Sequence, residues 1–140
     1  WKQMNSREIE FDTYRRFTYG LPGKSKADWL FIQHALASLK ESGKAAVIVS
    51  LGILSSGGTD KKIREKMIQA DLIESIIVLP SNILSYSSIP TAIIIFRKKK
   101  SEDRKGKIQF INATNQFVKE KRKNILTQAN IDTIVRAYND

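Results

Sequence analysis

The residue types that most often carry chemistry are sparse in this chain. His34 is the only histidine and cysteine is absent. A lone histidine without Cys or His partners cannot build a usual zinc site, and no Ser/His/Asp set stands at interpretable spacing. His34, off the centre of a helical apolar stripe, therefore reads as structural. The carboxylates are dispersed beside basic residues, so no acid/base pair stands out. Binding chemistry remains in three places. Ser55-Ser56-Gly57-Gly58 precedes a helix and could present backbone N–H groups to a phosphate. It matches neither G-x-G-x-x-G nor the P-loop pattern, which leaves a flexible connection or a DNA-backbone contact. Tyr86 could stack on an unpaired base, a contact worth ~1–3 kcal/mol, or pack its ring on the rim of a sheet. Seven basic residues from Arg97 to Lys107 stand against Glu102 and Asp103. They make either a solvated hairpin tip that discourages edge pairing or a salt-sensitive phosphate contact.

The charge balance favours a polyanionic partner. The 140 residues carry a net +10, and the excess lies late: residues 1–96 hold 12 Lys/Arg against 9 Asp/Glu, whereas 97–140 hold 12 against 5. The lack of cysteine excludes a disulfide framework and agrees with a reducing cytosol. No apolar run approaches the ~20 residues of a membrane span, and no signal-peptide pattern opens the chain. Its start at Trp1, without an initiator Met, suggests a piece of something larger.

These residues need elements to position them. Residues 1–26 show no sustained period and read as an irregular aromatic and basic segment. Ser25 and Asp28 fit a capping box, and Ile32, Ala35, Leu36 and Leu39 follow at helical spacing, predicting a helix from Lys26 to Glu41 that stops at Gly43. The run Ala45–Leu51 predicts a strand covered on both faces. A flexible loop, Gly52–Gly58, leads to a helix capped by Thr59 and Asp60, with Ile63, Met67, Ile68 and Leu72 on its apolar side. Leu72–Leu79 is a second buried strand, giving a βαβ unit with a right-handed crossover. Both loops leaving those strands, Ser50–Gly58 and Pro80–Ser88, must then emerge at one sheet edge, where ligands bind in such folds. Thr91–Phe96 is reached without a helix, so it is expected to be antiparallel. Lys107–Ile111 alternates like a half-exposed strand, Asn112–Asn124 reads as irregular, and Ile131, Ile134, Val135 and Tyr138 mark a closing helix over Thr127–Tyr138.

The chain also resembles a known family. Arg16-Phe17-Thr18-Tyr19-Gly20-Leu21-Pro22 and Ala27 to His34 are similar to the segment after the catalytic Asn-Pro-Pro-Phe/Tyr motif in modification (M) subunits of type I restriction-modification systems. Gly43 to Val49, Gly57-Gly58 with Ile63-Arg64, Leu79-Pro80-Ser81-Asn82-Ile83-Leu84 with Ile89-Pro90, Ile93 to Lys100 and Gly106 to Ala113 extend the resemblance over nearly the whole chain. It implies an adenine-N6 DNA methyltransferase that uses S-adenosylmethionine and flips its target base out of the duplex. The implied fold is α/β, a partial Rossmann-like methyltransferase sheet with a parallel βαβ unit plus an antiparallel strand and helices packed on it. The expected organisation is an irregular segment over 1–26, the second half of the catalytic domain over 27–113, and a linker and helix over 114–140.

The sequence departs from the family in lacking both the Asn-Pro-Pro-aromatic motif and a glycine-rich loop after a first strand. The segment is therefore expected to be inactive alone, with no catalytic, cofactor-binding or metal-binding residue and no S-adenosylmethionine bound to it. The resemblance places Pro80, Ser81, Asn82 and Tyr86 on the target-base side. Gly57, Gly58, Lys98, Lys99, Lys100, Arg104, Lys105 and Lys107 are the candidate DNA contacts, with a subunit contact as the other use of the lysine cluster. DNA and the specificity and restriction subunits are the implied partners, in the cytoplasm and away from membranes. A non-catalytic nucleic-acid-binding or subunit-assembly module is the alternative.

Overall fold

The structure is a computed structural model that describes residues 11–23 and 26–140. The reading of residues 1–10 and the Ser25 cap lie outside the described residues. The elements are α1 (Asp28–Ala37), β1 (Lys44–Ser50), a 3-10 turn (Leu51–Leu54), α2 (Gly58–Gln69), β2 (Ile73–Val78), β3 (Thr91–Arg97), β4 (Gln109–Asn112), a hairpin of β5 (Val118–Lys119) and β6 (Asn124–Ile125), and α3 (Gln128–Asn139).

The four long strands form one sheet in the order β1-β3-β2-β4. β3 is antiparallel to both neighbours, pairing Lys44 with Arg97 through Ser50 with Thr91 on one side and Val78 with Ala92 on the other. The antiparallel third strand is thus as expected, and β1 and β2 run in the same direction with α2 between them. They are not neighbours, however. β3 is inserted between them, and β2 instead pairs in parallel with β4. The physical reason is burial: in β3 Ala92, Ile94 and Phe96 are fully buried on one face and Ile95 is buried on the other, so it takes a central slot.

β1 is an edge strand, which corrects the expectation that both its faces are covered. Lys44, Ala46, Ile48 and Ser50 are exposed, Ile48 by 58 %. Helices α1 and α2 cover one sheet face with Trp29, Ile32, Leu36, Ile63 and Met67. On the other face α3 sits toward β4, where Gln109 Nε2 donates to the Ala137 carbonyl at 2.8 Å and Ile134 joins Ile77, Leu79, Ile95 and Ala113. On that face α3 reaches β1 only at its start, through Tyr138 at Lys44, and leaves Ile48 exposed.

Local signals decide the element ends. α1 is shorter than expected, with Ala27 in the N-cap position and no side-chain cap, and Ser38 at its C-terminus. Gly43 does not stop that helix. It closes a later turn by donating to the Lys40 carbonyl at 2.8 Å, and a Cβ there would fall 2.8 Å from the same oxygen. α2 starts one residue after its N-cap Gly57, so Thr59 and Asp60 lie in its first turn rather than capping it. The preceding loop is pinned: it winds into the 3-10 turn, and Arg64 Nη1 donates to the Ile53 and Ser56 carbonyls at 3.1 and 3.0 Å. α3 has a complete capping box between Thr127 and Asn130. Residues 112–124 are not wholly irregular, because β5 and β6 pair Val118 with Ile125 and Lys119 with Asn124.

Candidate nucleic-acid interface

Because β1, β2 and β4 share a direction, their carboxyl ends meet at the start of β3. Leu51 N donates to the Pro90 carbonyl (2.8 Å), Leu79 N to the Thr91 carbonyl (3.0 Å) and Ala113 N to the Val78 carbonyl (2.9 Å), which stitches the outgoing loops to one edge. Gly57, Gly58, Pro80, Ser81, Asn82 and Tyr86 all belong to this edge.

The loop after β2 is built in steps. Pro80 is fully buried and fixes where the loop leaves the sheet, while Ser81 is exposed. Asn82 takes a left-handed conformation (φ 55°), which asparagine tolerates better than most residues. Its Nδ2 donates to the Arg122 carbonyl at 3.2 Å, and its carbonyl accepts from Asn124 N at 2.9 Å. Further along, Leu84 and Ser87 form an isolated antiparallel bridge, and Ser87 Oγ accepts from Ile89 N at 3.2 Å. Tyr86 sits at that tip completely exposed, flanked by exposed Leu84 and Ile89, so its ring does not pack on the sheet rim. At Gly57 and Gly58 an added Cβ would meet nothing within 4 Å, although Gly58 has φ +63°. These glycines leave an open surface rather than line a tight cradle.

The basic turn lies at the opposite edge, next to the start of β1. Most of its charge is engaged within the chain. Lys98 Nζ donates to the Leu39 carbonyl at 2.6 Å. Lys100, only 5 % exposed, reaches Asp71 Oδ1 at 2.5 Å and the Lys107 carbonyl at 2.7 Å. Arg104 donates to Gln109 Oε1 and the Tyr138 carbonyl, Lys105 pairs with Glu102, and Lys107 donates to the Asp103 carbonyl. Lys99 is exposed. The structure therefore separates the eight candidate DNA contacts into two glycines at the carboxyl edge and six basic residues at the other.

Burial alone would push the Asp71 carboxyl up, but the Gly106 amide (2.9 Å), the Lys100 ammonium and the nearby Lys105 outweigh it and hold it below the usual carboxylate range. The amino edge also contains a buried cluster. A register slip between Ile73 and Ser75 sets Glu74 inward, 2 % exposed, with Arg97 Nε at 2.6 Å and the Tyr138 hydroxyl donating to it. Lys44 Nζ in turn donates to the Tyr138 oxygen at 2.7 Å and lies 4.8 Å from its ring centre.

Two features were missed from the sequence. Gln33 is buried in α1 and grips the loop ahead of it, accepting from Tyr19 N at 3.0 Å and donating to the Gly20 carbonyl at 2.8 Å. A polar residue interrupting the apolar stripe of α1 was the available signal. His34, by contrast, lies at the surface with Nδ1 3.2 Å from Arg16 Nη1. The other missed feature is the β5–β6 hairpin, signalled only by the run Lys119-Glu120-Lys121-Arg122-Lys123-Asn124. Among the described residues no three His, Cys, Asp or Glu side chains converge as metal ligands, and no helix is long and apolar enough to cross a membrane.

A mixed α/β sheet with one reversed strand and its loops gathered at the carboxyl edge is a methyltransferase arrangement, and the chain belongs to the N-6 DNA methylase family, which it matches over residues 1–140. It is 39 % identical over 127 residues to the methylase subunit of the MjaVIII type I restriction enzyme of Methanocaldococcus jannaschii, covering 89 % of this chain and 22 % of that protein. It is 40 % identical over 119 residues to the MpnII methylase subunit of Mycoplasma pneumoniae, covering 85 % and 22 %. The crystal structure of a type I restriction-modification methyltransferase subunit from Streptococcus thermophilus superposes with a TM-score of 0.87 at 34 % identity, over 97 % of this chain and 28 % of that one. The chain thus spans about a fifth of the length of these curated relatives.

Proposed function

We propose that this chain is the part of a type I modification methyltransferase that lies against the target adenine, in a protein that methylates adenine N6 of DNA. The observation that carries the reading is the carboxyl edge: a tied loop holds Tyr86 fully exposed at the same sheet edge from which the Gly57-Gly58 loop leaves, in a chain of the N-6 DNA methylase family. Adenine N6 is engaged in base pairing within the duplex, so an enzyme acting on it must take the base out of the stack. An exposed ring on an anchored loop suits an extruded base. On this reading Pro80, Ser81 and Asn82 shape the loop, Tyr86 meets the base, and Gly57 and Gly58 leave room for DNA to approach.

The basic turn at the opposite edge serves another surface. Lys98, Lys99, Arg104, Lys105 and Lys107 would meet a specificity or restriction subunit, or DNA phosphates remote from the reacting base, while Lys100, buried against Asp71, holds the turn together. S-adenosylmethionine supplies the methyl group when bound. Gly57 and Gly58 form no cradle for it, and on this reading the residues that would hold it lie elsewhere in the full-length protein. Such an enzyme works in the cytoplasm, where DNA and its partner subunits are present.

The test is methyl transfer from labelled S-adenosylmethionine to adenine-containing duplex DNA. The full-length protein with its specificity subunit should label DNA, and the 140-residue segment alone should neither label DNA nor retain the cofactor. Tight cofactor binding by the segment, or a full-length protein that binds DNA without methylating it, would instead favour a non-catalytic binding or assembly module.

A further inference from the structure

We propose that the β5–β6 hairpin is a phosphate-gripping arm on the same side as Tyr86, with Lys119, Lys121, Arg122 and Lys123 contacting the DNA backbone. The proposal rests on the reading of the carboxyl edge as the DNA side, and three observations carry it.

The first is charge that the chain itself does not use. Four basic side chains stand against Glu120 within five residues, all exposed. Among the described residues none of the four has a hydrogen-bond or ion-pair partner. The turn from Arg97 to Lys107 is the internal control, because five of its six lysine and arginine residues after Arg97 hold carbonyls or carboxylates of this chain. Four adjacent unneutralised cations repel one another, and a polyanion would relieve that repulsion.

The second is attachment. A hairpin of two-residue strands has little stability of its own. This one is closed by Glu120 N donating to the Lys123 carbonyl at 2.9 Å, and it is fastened to the Tyr86 loop by three bonds. Asn124 N reaches the Asn82 carbonyl, Asn124 Nδ2 reaches the Ser81 carbonyl, and Asn82 Nδ2 reaches the Arg122 carbonyl. A merely solubilising tip needs no such fixed relation to the loop.

The third is placement. Backbone contacts fix the register of a protein on DNA, while groups at the base do the chemistry. Cations on a hairpin fastened at Ser81 and Asn82, five and four residues before Tyr86, would set the duplex at a constant distance from that ring. The arm therefore positions DNA and is not a catalytic element.

The experiment uses the full-length protein with its partner subunit and a fluorescent duplex of about 30 base pairs, with binding followed from low to moderate salt. Each phosphate contact contributes about 0.9 to the slope of log K against log salt. Replacing all four residues together (K119A, K121A, R122A, K123A) should flatten the slope by about 3.6 and weaken binding more than tenfold at ~0.1 M salt. Cofactor binding should be unchanged. Glu120→Lys should steepen the slope by about 1, a gain that misfolding cannot imitate. If both variants keep the parent slope while DNA is still methylated, the arm does not touch DNA, although the methyltransferase reading survives. If the fourfold variant keeps its DNA affinity but loses its partner subunit, the arm grips an acidic protein surface and the proposal fails. A parent protein that neither binds nor methylates DNA would overturn the function proposed above, and the arm with it.

Discussion

Asn124 holds Ser81 from 43 residues away, its Nδ2 donating to the Ser81 carbonyl at 2.8 Å while its backbone N–H donates to the neighbouring Asn82 carbonyl at 2.9 Å. One residue thus bonds two successive carbonyls of the loop that carries Tyr86. Asn124→Ala removes the side-chain half of this tie. The cost should be small, about 0.5–1 kcal/mol, because the bond is exposed and water replaces it. Hydrogen exchange reads the effect directly: amides of residues 118–125 should lose protection while those of β3 keep theirs. Unchanged exchange in the hairpin would mean that the backbone bond alone holds it.

Glu74 should matter more. Its carboxylate is buried against Arg97 and the Tyr138 hydroxyl, and removing one partner of a buried ion pair leaves a charge without compensation. Glu74→Ala is expected to destabilise the fold by about 3 kcal/mol. Tyr138→Phe removes the hydrogen bond to this carboxylate and the one accepted from Lys44 Nζ, and should cost about 1.5–3 kcal/mol. Chemical denaturation of both variants checks this, and a loss below about 1 kcal/mol for Glu74→Ala would show that the buried carboxylate does not hold the cluster together.

Gln33 ties α1 to the segment that precedes it. Gln33→Leu keeps a similar volume but leaves the Tyr19 N–H and the Gly20 carbonyl without their partner. A loss of about 1–3 kcal/mol is expected, with early proteolysis between residues 15 and 23 as the local readout. Resistance of that segment to protease in the variant would show that other contacts hold it.

Asp71 gives a pH dependence whose sign follows from its depressed pKa. The unfolded chain takes up the proton first on acidification, so the stabilisation is present above the ordinary aspartate value of about 3.9 and is lost as pH falls through the folded value. Asp71→Asn should flatten the acid limb of stability below about pH 4 and also lower stability at neutral pH. The second effect arises because Lys100 is left buried without its carboxylate. An unaltered acid limb would place the responsible carboxylate elsewhere.

Much of the fold was legible because its signals are local. The apolar run of β3 and the spacing of Ile131, Ile134, Val135 and Tyr138 identify a strand and a helix without any tertiary information. Strand order was not legible, since a run such as Ala45 to Val49 looks the same whether or not a helix lies over it. Only the docking of α3 toward β4 leaves Ile48 in solvent. The same limit applies to the candidate site. The carboxyl-edge loops follow from strand direction, but nothing local reveals that Lys100 is neutralised by Asp71, 29 residues earlier. Two-residue strands such as β5 and β6 are too short to show any period, so their lysines merged into an irregular stretch.

The insertion of β3 between β1 and β2 also sets a timetable. As the chain leaves the ribosome, β1 is complete at Ser50 and β2 at Val78, yet neither has a described hydrogen-bonded neighbour until β3 ends at Arg97. Contacts between residues so far apart in sequence slow folding, and unpaired strands are sticky while they wait. The pairing of β3 therefore assembles three strands in a single event. A ribosome stalled between residues 79 and 90 would hold β1 and β2 without the strand that comes to lie between them, leaving apolar strand edges open to aggregation.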